Sequence, residues 1–160
     1  MLATFQEKDF DDCVRLFVAA FHAPPLNYDW LTEEKAVRYL RDLTNKPGFL
    51  GFTYRFGEPL PAFCFGAIDD YFLVNQFKID ELAVSPNYHR QGAGSEMLLA
   101  VEAHLSQRGV CYVYLHTLRS FPAHDFYLKN GYASVEENAL LAKNILLSRR
   151  NPAKPLAGFF

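Results

Sequence analysis

The chain has 160 residues, half of them hydrophobic and 21% charged, and its formal net charge is −2 at pH 7. This length and composition are typical of one globular domain with a core of its own. The slightly acidic balance argues against a nucleic-acid-binding protein, which normally carries a basic face. No run approaches the ~18 consecutive apolar residues of a membrane-spanning helix, so we expect no membrane association.

The cysteines and the first residues bear on the compartment. Cys13, Cys64 and Cys111 are widely spaced and form no C-x-x-C pair, which favours buried free thiols in a reducing environment. Residues 1–12 lack a basic region followed by an apolar core, so no signal peptide is predicted. We therefore expect a cytoplasmic protein.

The N-terminal half predicts a strand, two helices and a pair of strands. Apolar residues recur at helical spacing after a candidate N-cap, Asp9, and again after Thr32, and prolines separate the two helices. In chain order the elements are a strand (2–5), a helix (10–21), a helix (33–43), a strand (49–54), a turn (56–59) and a second strand (60–68).

The C-terminal half alternates strands and helices. A strand (77–84), a helix ending at Gly109 and a parallel strand (110–115) are followed by a helix with Pro122 in its first turn and Ser120 as candidate N-cap. Gly131 ends that helix, and 132–135 with 140–147 can form a closing hairpin. We expect a single domain over 1–148, and a tail over 149–160 that is either frayed or docked on its own or a neighbouring subunit.

The strand–turn–helix stretch from Phe77 to Gly109 organises the chain. Gly92 and Gly94 precede the helical pattern, and glycines at a helix N-terminus let an anion approach unpaired backbone N–H groups. The G-x-G-x-x-G pattern of dinucleotide sites is broken by Met97, and the G-K-[ST] of a Walker loop is absent. From these residues alone, a plain tight turn is as good an interpretation as a phosphate site.

Two motifs on either side of that helix support the phosphate site. The sequence HRQGAG after VSPNY resembles the acetyl-CoA signature [RQ]-x-x-G-x-[GA] of the GNAT superfamily of N-acetyltransferases, with His89 where Arg or Gln is usual. Residues Ser120 to Tyr132 are similar to the second signature of that superfamily, an alanine, then Phe-Tyr, then a glycine and an aromatic residue. The two signatures together span residues 77–132.

The resemblance implies an α/β (α+β) fold with a mixed, mostly antiparallel sheet of about seven strands and about four helices. A parallel pair of strands splays apart to form the coenzyme cleft, and a bulge in the central strand accompanies the splay. The segments FHAPPLNYDWL and KPGFLGF also look, more loosely, like the aminoglycoside N-acetyltransferase branch.

By the same resemblance the acyl donor would be acetyl-CoA. No metal is expected, because the histidines show no metal-ligand spacing. Pantetheine would lie along the central strand like an added strand, and a backbone N–H of that segment would polarise the thioester carbonyl. The implied coenzyme-binding residues are Leu82, Ala83, Val84, His89, Arg90, Gln91, Gly92, Ala93, Gly94, Ser95 and Ser120.

The candidate catalytic residues are Tyr127, Glu81 and Asp80. Tyr127 matches the tyrosine of the family that protonates the coenzyme A sulfur, and a phenol with a pKa of about 10 suits that role; the alternative is an aromatic residue that only packs its helix. Asp80 and Glu81 are equal candidates for the base, and their side chains should point to opposite faces of the strand unless a bulge intervenes. A water chain could also take the proton of the amine.

The expected function is direct acetyl transfer to a primary amine of a small molecule, a polyamine or an aminosugar. Direct transfer is favoured because no G-x-S-x-G nucleophile motif occurs, and no H-x-x-x-H metal motif is present. A peptide or protein acceptor and a non-catalytic acyl-CoA sensor are the alternatives, and a homodimer is left open. The acids in segments that line the acceptor side in the family are Asp29, Glu33, Glu34, Asp69 and Asp70.

Overall fold

The computed structural model describes residues 1–55, 59–71, 74–136 and 138, without the side chains of Asp70 and Tyr71. The chain divides into two compact units, Met1–Leu115 and His116–Phe160. The predicted turn over 56–59 therefore lies mostly outside the described residues, as do the strand predicted over 140–147 and the tail over 149–160.

The described part of the first unit contains one five-stranded sheet in the order β1-β2-β3-β4-β5. The first three neighbouring pairs are antiparallel, and β4 and β5 are parallel. A parallel pair needs a long crossover, which here contains a helix. The strands are β1 (Leu2–Thr4), β2 (Phe49–Tyr54), β3 (Ala62–Tyr71), β4 (Val74–Val84) and β5 (Tyr112–Tyr114).

Helices cover both faces of this sheet. Helices α1 (Phe10–His22) and α2 (Glu33–Thr44) form a core with strand residues such as Phe63 and Phe65. Helix α3 (Ala93–Gln107) connects β4 to β5 and buries Met97 and Leu98 against the other face of the sheet. Side chains alternate between the two faces along each strand, so every second strand residue points to that face. The short helix α4 (Pro122–Lys129) belongs to the second unit. The predicted mixed sheet and the predicted number of about four helices are confirmed within the described residues.

Several local predictions were wrong in detail. The described residues between the strands predicted over 60–68 and 77–84 were expected to form a connection but are strand, because Asp69 pairs with Gln76 and Asp70 with Asn75 next to the turn of the β3–β4 hairpin. Residues 132–135 are described and contain no strand, and the sheet has five strands within the described residues where about seven were expected for the chain. Cys111 is exposed rather than buried, whereas Cys13 and Cys64 are buried as predicted.

The predicted N-cap roles also differ. Asp9 does occupy the N-cap position of α1, but its carboxylate accepts a hydrogen bond from the backbone N–H of Gln6, before the helix, at 2.9 Å. Phe121, not Ser120, is the N-cap residue of α4, because the helix begins at Pro122 and the preceding residue takes that position. The C-terminal predictions are confirmed: Gly109 and Gly131 follow α3 and α4 with φ of +76° and +88°.

Candidate functional site

The pairing of β3 with β4 is interrupted beside Asp80. Phe65 lies opposite Glu81 and Gly66 lies opposite Ile79, so Asp80 is the extra residue of a bulge in β4. A Cβ atom on Gly66 would collide with the carbonyl oxygen of Lys78 and the ring of Phe77. Glycine is therefore required where β3 approaches the bulged strand so closely.

The parallel pairing of β4 with β5 ends where the bulge begins. The pairs run from Gln76 opposite Tyr112 to Lys78 opposite Tyr114, and the bulge follows at the next residues. Within the described residues of the first unit, Leu82, Ala83 and Val84 pair with β3 on one edge only. Their other edge can accept an extended ligand in the manner of an added strand.

The bulge places both acidic side chains on the face covered by α1 and α2. Glu81 lies opposite Phe65, a member of the core formed with those helices. Asp80 bonds to Lys46, which follows α2, and to Lys78 on its own strand. The expectation that the two carboxylates point to opposite faces in a regular strand is therefore overridden by the bulge.

Asp80 is held by two ammonium groups. Its carboxylate accepts a hydrogen bond from Lys46 Nζ at 2.8 Å and lies 3.0 Å from Lys78 Nζ, and its side chain is 7% exposed. Burial alone would raise the pKa of Asp80, but the hydrogen bonds from the two lysines outweigh it and hold the pKa below its usual value. Asp80 is thus a paired, ionised carboxylate.

Glu81 has a different partner. Its Oε2 accepts a hydrogen bond from the hydroxyl of Tyr39, a residue of α2, at 3.1 Å. Burial raises the pKa of Glu81 to about 7, the hydrogen bond from Tyr39 opposes that rise, and the charge of Asp80 adds to it. A half-buried carboxyl group that titrates near neutrality can take up and release a proton there.

The glycine turn forms the start of α3. Gly92 is the N-cap residue with φ of +87°, and Arg90 also has a left-handed backbone, with φ of +59°. The first bond inside the helix runs from the N–H of Glu96 to the carbonyl of Gly92, so the N–H groups of residues 93–95 precede the helical ladder. A Cβ atom on Gly92 would have only Glu96 Oε1 near it, at 4.0 Å, so space is open beside those groups. This arrangement suits an anion.

The side chains around the glycine turn differ in whether they are available to contact an anion. Arg90 is exposed and forms no hydrogen bond or ion pair with any residue that the structure describes. His89 is directed back to the strand, since its Nε2 donates to the carbonyl of Val84 at 3.0 Å, and Gln91 Nε2 donates to the carbonyl of Asn87 at 2.7 Å. Ala93 and Gly94 are buried and Ser95 is half-buried, which leaves Arg90 as the charge best available to an anion at this turn.

Tyr127 lies in the second unit, on α4, and is 8% exposed. The N–H of Gly131 bonds to the carbonyl of Leu128 and the N–H of Tyr132 to the carbonyl of Tyr127, each at 3.1 Å. This is a Schellman end with Gly131 at its left-handed position. The ring of Tyr132 meets the ring of Tyr127 at 5.2 Å, so the glycine and aromatic residue of the second motif fix the tyrosine. Ser120 is exposed ahead of this helix.

Of the acids predicted to line the acceptor side, those whose side chains are described lie at the surface. Asp29, Glu33 and Glu34 are exposed, and Asp69 accepts a hydrogen bond from Tyr114 at 3.3 Å. The side chain of Asp70 is not among those described. The described residues contain no group of three or more His, Cys, Asp or Glu side chains that could hold a metal ion.

None of the helices in the described part of the chain is both long enough and apolar enough to cross a bilayer.

Sequence reasoning missed Tyr39, Lys46 and Lys78 as partners of the two carboxylates. Tyr39 and Lys46 are distant in sequence and carry no motif, so no pattern points to them. Gly66 inside a strand pattern was the one available indication of the bulge, because isolated glycines in strands often mark one.

Solved structures with the same fold include three that cover about nine tenths of this chain. A transcriptional regulator from Bacillus halodurans is 17% identical over 89% of this chain and 98% of its own, with a TM-score of 0.69. An aminoglycoside acetyltransferase from an uncultured soil metagenomic sample, in complex with sisomicin, is 20% identical over 91% and 95%, with a TM-score of 0.68. An aminoglycoside antibiotic 6'-N-acetyltransferase from Acinetobacter haemolyticus is 13% identical over 91% and 99%, with a TM-score of 0.68.

At these identities the structural likeness establishes the fold alone, and no curated protein matches the sequence. The family model of the acetyltransferase (GNAT) family matches residues 10–132, most of the chain and all of the bulge, the glycine turn and α4. The predicted GNAT fold is thereby confirmed, and the chain belongs to the acetyltransferase (GNAT) family.

Proposed function

We propose that this protein transfers the acetyl group of acetyl-CoA directly to the primary amine of a small molecule of the aminosugar or polyamine type. Membership of an acetyltransferase family supports the reaction class. The observation that carries the proposal is the bulge in β4. It places Glu81, a carboxyl group with a pKa of about 7, directly before Leu82, Ala83 and Val84, which pair with β3 on one edge and leave the other edge open. The aminosugar class is supported by aminoglycoside acetyltransferases among the proteins of the same fold.

The coenzyme fits the residues of the first unit. Its diphosphate would lie against the N–H groups of residues 93–95, where Gly92 leaves open space and the helix dipole favours negative charge. Arg90 would supply the formal positive charge. Pantetheine would extend along the free edge of Leu82 to Val84, bonding backbone groups as a strand does.

Transfer needs an amine without its extra proton, because only the nitrogen lone pair can attack the thioester carbon. We assign Glu81 as the proton acceptor. Asp80 is less suited because Lys46 and Lys78 hold it ionised with a lowered pKa. A carboxyl group with a pKa of about 7 is matched to proton transfer at neutral pH. The alternative that a water chain acts in its place predicts little change on replacing Glu81.

Breakdown of the tetrahedral intermediate completes the reaction. The carbon–sulfur bond breaks, the sulfur leaves with the bonding electrons, and Tyr127 donates a proton to it, a role that rests on the second motif. The oxyanion would be stabilised by a backbone N–H of the bulged segment. Acetylated amine and coenzyme A are then the products. The nitrogen loses two protons between the ammonium form and the amide: Glu81 takes one and releases it to solvent, and the other passes to the Tyr127 phenolate and restores the tyrosine.

The test combines binding and turnover in the full chain. Acetyl-CoA should raise the thermal unfolding temperature and bind in calorimetry. A panel of aminosugars, polyamines and peptides, with free-thiol release as readout, should show turnover on the first two classes. Tyr127→Phe should cut turnover about tenfold or more, with acetyl-CoA affinity nearly unchanged.

Three outcomes would overturn parts of the proposal. No thermal or calorimetric response to acetyl-CoA would refute it entirely. Binding without turnover on any amine, and no effect of Tyr127→Phe, would favour the acyl-CoA sensor. Turnover on peptides alone would replace the small-molecule acceptor.

A further inference from the structure

Helix α2 supplies a partner to each carboxylate of the bulge. Tyr39, on the helix, donates its hydroxyl hydrogen to Glu81 Oε2 at 3.1 Å, and Lys46, just after it, binds Asp80 at 2.8 Å. The Tyr39 ring is fixed in turn, since it stacks on Phe17 of α1 with ring centroids 5.5 Å apart. The Tyr39 hydroxyl is therefore a hydrogen-bond donor in a fixed position, although 40% of the surface of the residue is exposed.

The charged groups beside Glu81 come from β4 and from the segment after α2. Asp80 precedes Glu81 on β4 and is bound by Lys78 of the same strand and by Lys46 after α2. Cys64 of β3 lies opposite Leu82, so its buried thiol points to the other face of the sheet from Glu81, which lies opposite Phe65. Helix α1 contributes the apolar ring of Phe17, which stacks on Tyr39. Among the described residues, Tyr39 is the only side chain that donates a hydrogen bond to Glu81.

We infer that Tyr39 is a positioning residue for the acetyl transfer proposed above, because its hydroxyl holds the Glu81 carboxylate ionised and in one orientation as the proton acceptor. This inference rests on the proposed function. It assigns to α2 a part in the chemistry that neither signature motif of the family contains, since the motifs lie within residues 77–132.

The direction of the effect follows from the hydrogen bond. A donor to the charged form of an acid favours that form, so Tyr39 lowers the pKa of Glu81 against the effect of burial. Removing the hydroxyl should raise that pKa. Less Glu81 would then be ionised at neutral and acidic pH, while well above the new pKa it would be fully ionised again.

The experiment is the pH profile of kcat/KM for Tyr39→Phe, measured with an amine identified in the panel. We expect the acid limb to move to higher pH and kcat/KM on that limb to fall about tenfold, with the alkaline plateau nearly unchanged. A merely structural role would lower kcat/KM by the same factor at every pH. The Glu81 carboxyl resonance, titrated by NMR without substrate, should show the same upward displacement.

Tyr28→Phe is the matched control. Tyr28 belongs to the same row of aromatic rings, 5.8 Å from Phe21 and 5.3 Å from Trp30, and its hydroxyl has no partner among the described residues. Its profile should superpose on that of the unmodified protein.

The outcomes separate the inference from the function on which it rests. If Glu81→Gln lowers turnover but Tyr39→Phe leaves both the acid limb and the NMR titration of Glu81 in place, the inference is wrong and the proposed function stands. If Glu81→Gln leaves turnover unchanged, Glu81 is not the base and a positioning role for Tyr39 is refuted with it. An acid limb that moves in Tyr28→Phe as well would also refute a specific role for Tyr39.

Discussion

The bulge in β4 and the glycine turn before α3 are built by opposite means. The turn is a backbone site, in which Gly92 takes a left-handed φ of +87° and the open space around it comes from a missing side chain. The bulge is a side-chain site, in which Asp80 and Glu81 take their properties from Lys46, Lys78 and Tyr39.

The difference between the two sites corresponds to two tasks, binding of an anion at the turn and proton transfer at the bulge. Backbone N–H groups cannot be titrated and serve to hold an anion. The two carboxyl groups of the bulge are neighbours with the same ordinary chemistry, yet the pKa of Asp80 is lowered and that of Glu81 is raised. Environment, and not residue type, therefore divides their roles.

The largest expected effect tests that division directly. Glu81→Gln should lower turnover about 100-fold or more, because it removes the proton acceptor, whereas Asp80→Asn should lower it less than about tenfold. Both variants are assayed for thiol release at saturating acetyl-CoA, after a check that each is folded. The opposite order would identify Asp80 as the base and break the comparison.

Asp80 should matter instead to stability. Asp80→Ala leaves the ammonium groups of Lys46 and Lys78 without their partner, and we expect a loss of about 2 kcal/mol in the free energy of unfolding by urea. Since folding lowers the pKa of Asp80, this contribution is present at neutral pH and is lost as the pH falls through the folded-state pKa.

The control for Asp80 is another acid paired with a cation. Glu7 bonds to Arg41 at 2.7 Å on the exposed surface, so Glu7→Ala should change stability little. Equal losses in the two variants would show that the bulge pair is no more than a surface ion pair.

The glycine turn is tested by adding one methyl group at each end of α3. Gly92→Ala and Gly109→Ala place a side chain at φ of +87° and +76°, with open space around both, so each should cost about 1 kcal/mol of stability. Only Gly92→Ala should weaken acetyl-CoA binding, by about tenfold in calorimetry, because only there would the methyl group meet the diphosphate. Equal affinities in the two variants would rule out the turn as the phosphate site.

The smallest expected effect concerns the stability cost of Glu81. Folding raises its pKa from 4.5 to about 7, so the unfolded chain gives up this proton at lower pH and stability falls as the pH rises through that window. Glu81→Gln should therefore raise the free energy of unfolding at neutral pH, and this gain should disappear in acid. Thermal unfolding at several pH values checks this, and a variant that is less stable at neutral pH would contradict it.

Predictions from sequence succeeded where a feature depends on neighbouring residues. The helix ends at Gly109 and Gly131 and the proline in the first turn of α4 were predicted correctly, since each needs only local backbone geometry. Prediction failed where several contacts compete. Ser120 did not become the N-cap because Phe121 occupies that position, and residues 132–135 contain no strand despite their apolar pattern.

The amino-acid sequence by itself determined the strand–turn–helix order, the glycine turn and the family motifs, because these are properties of adjacent residues. It left Asp80 and Glu81 equivalent. Only the tertiary structure distinguished them, because Lys46 lies 34 positions from Asp80 and Tyr39 lies 42 positions from Glu81. A bulge and the packing of α2 on the sheet bring those partners together, and a pKa depends on which groups are near in space.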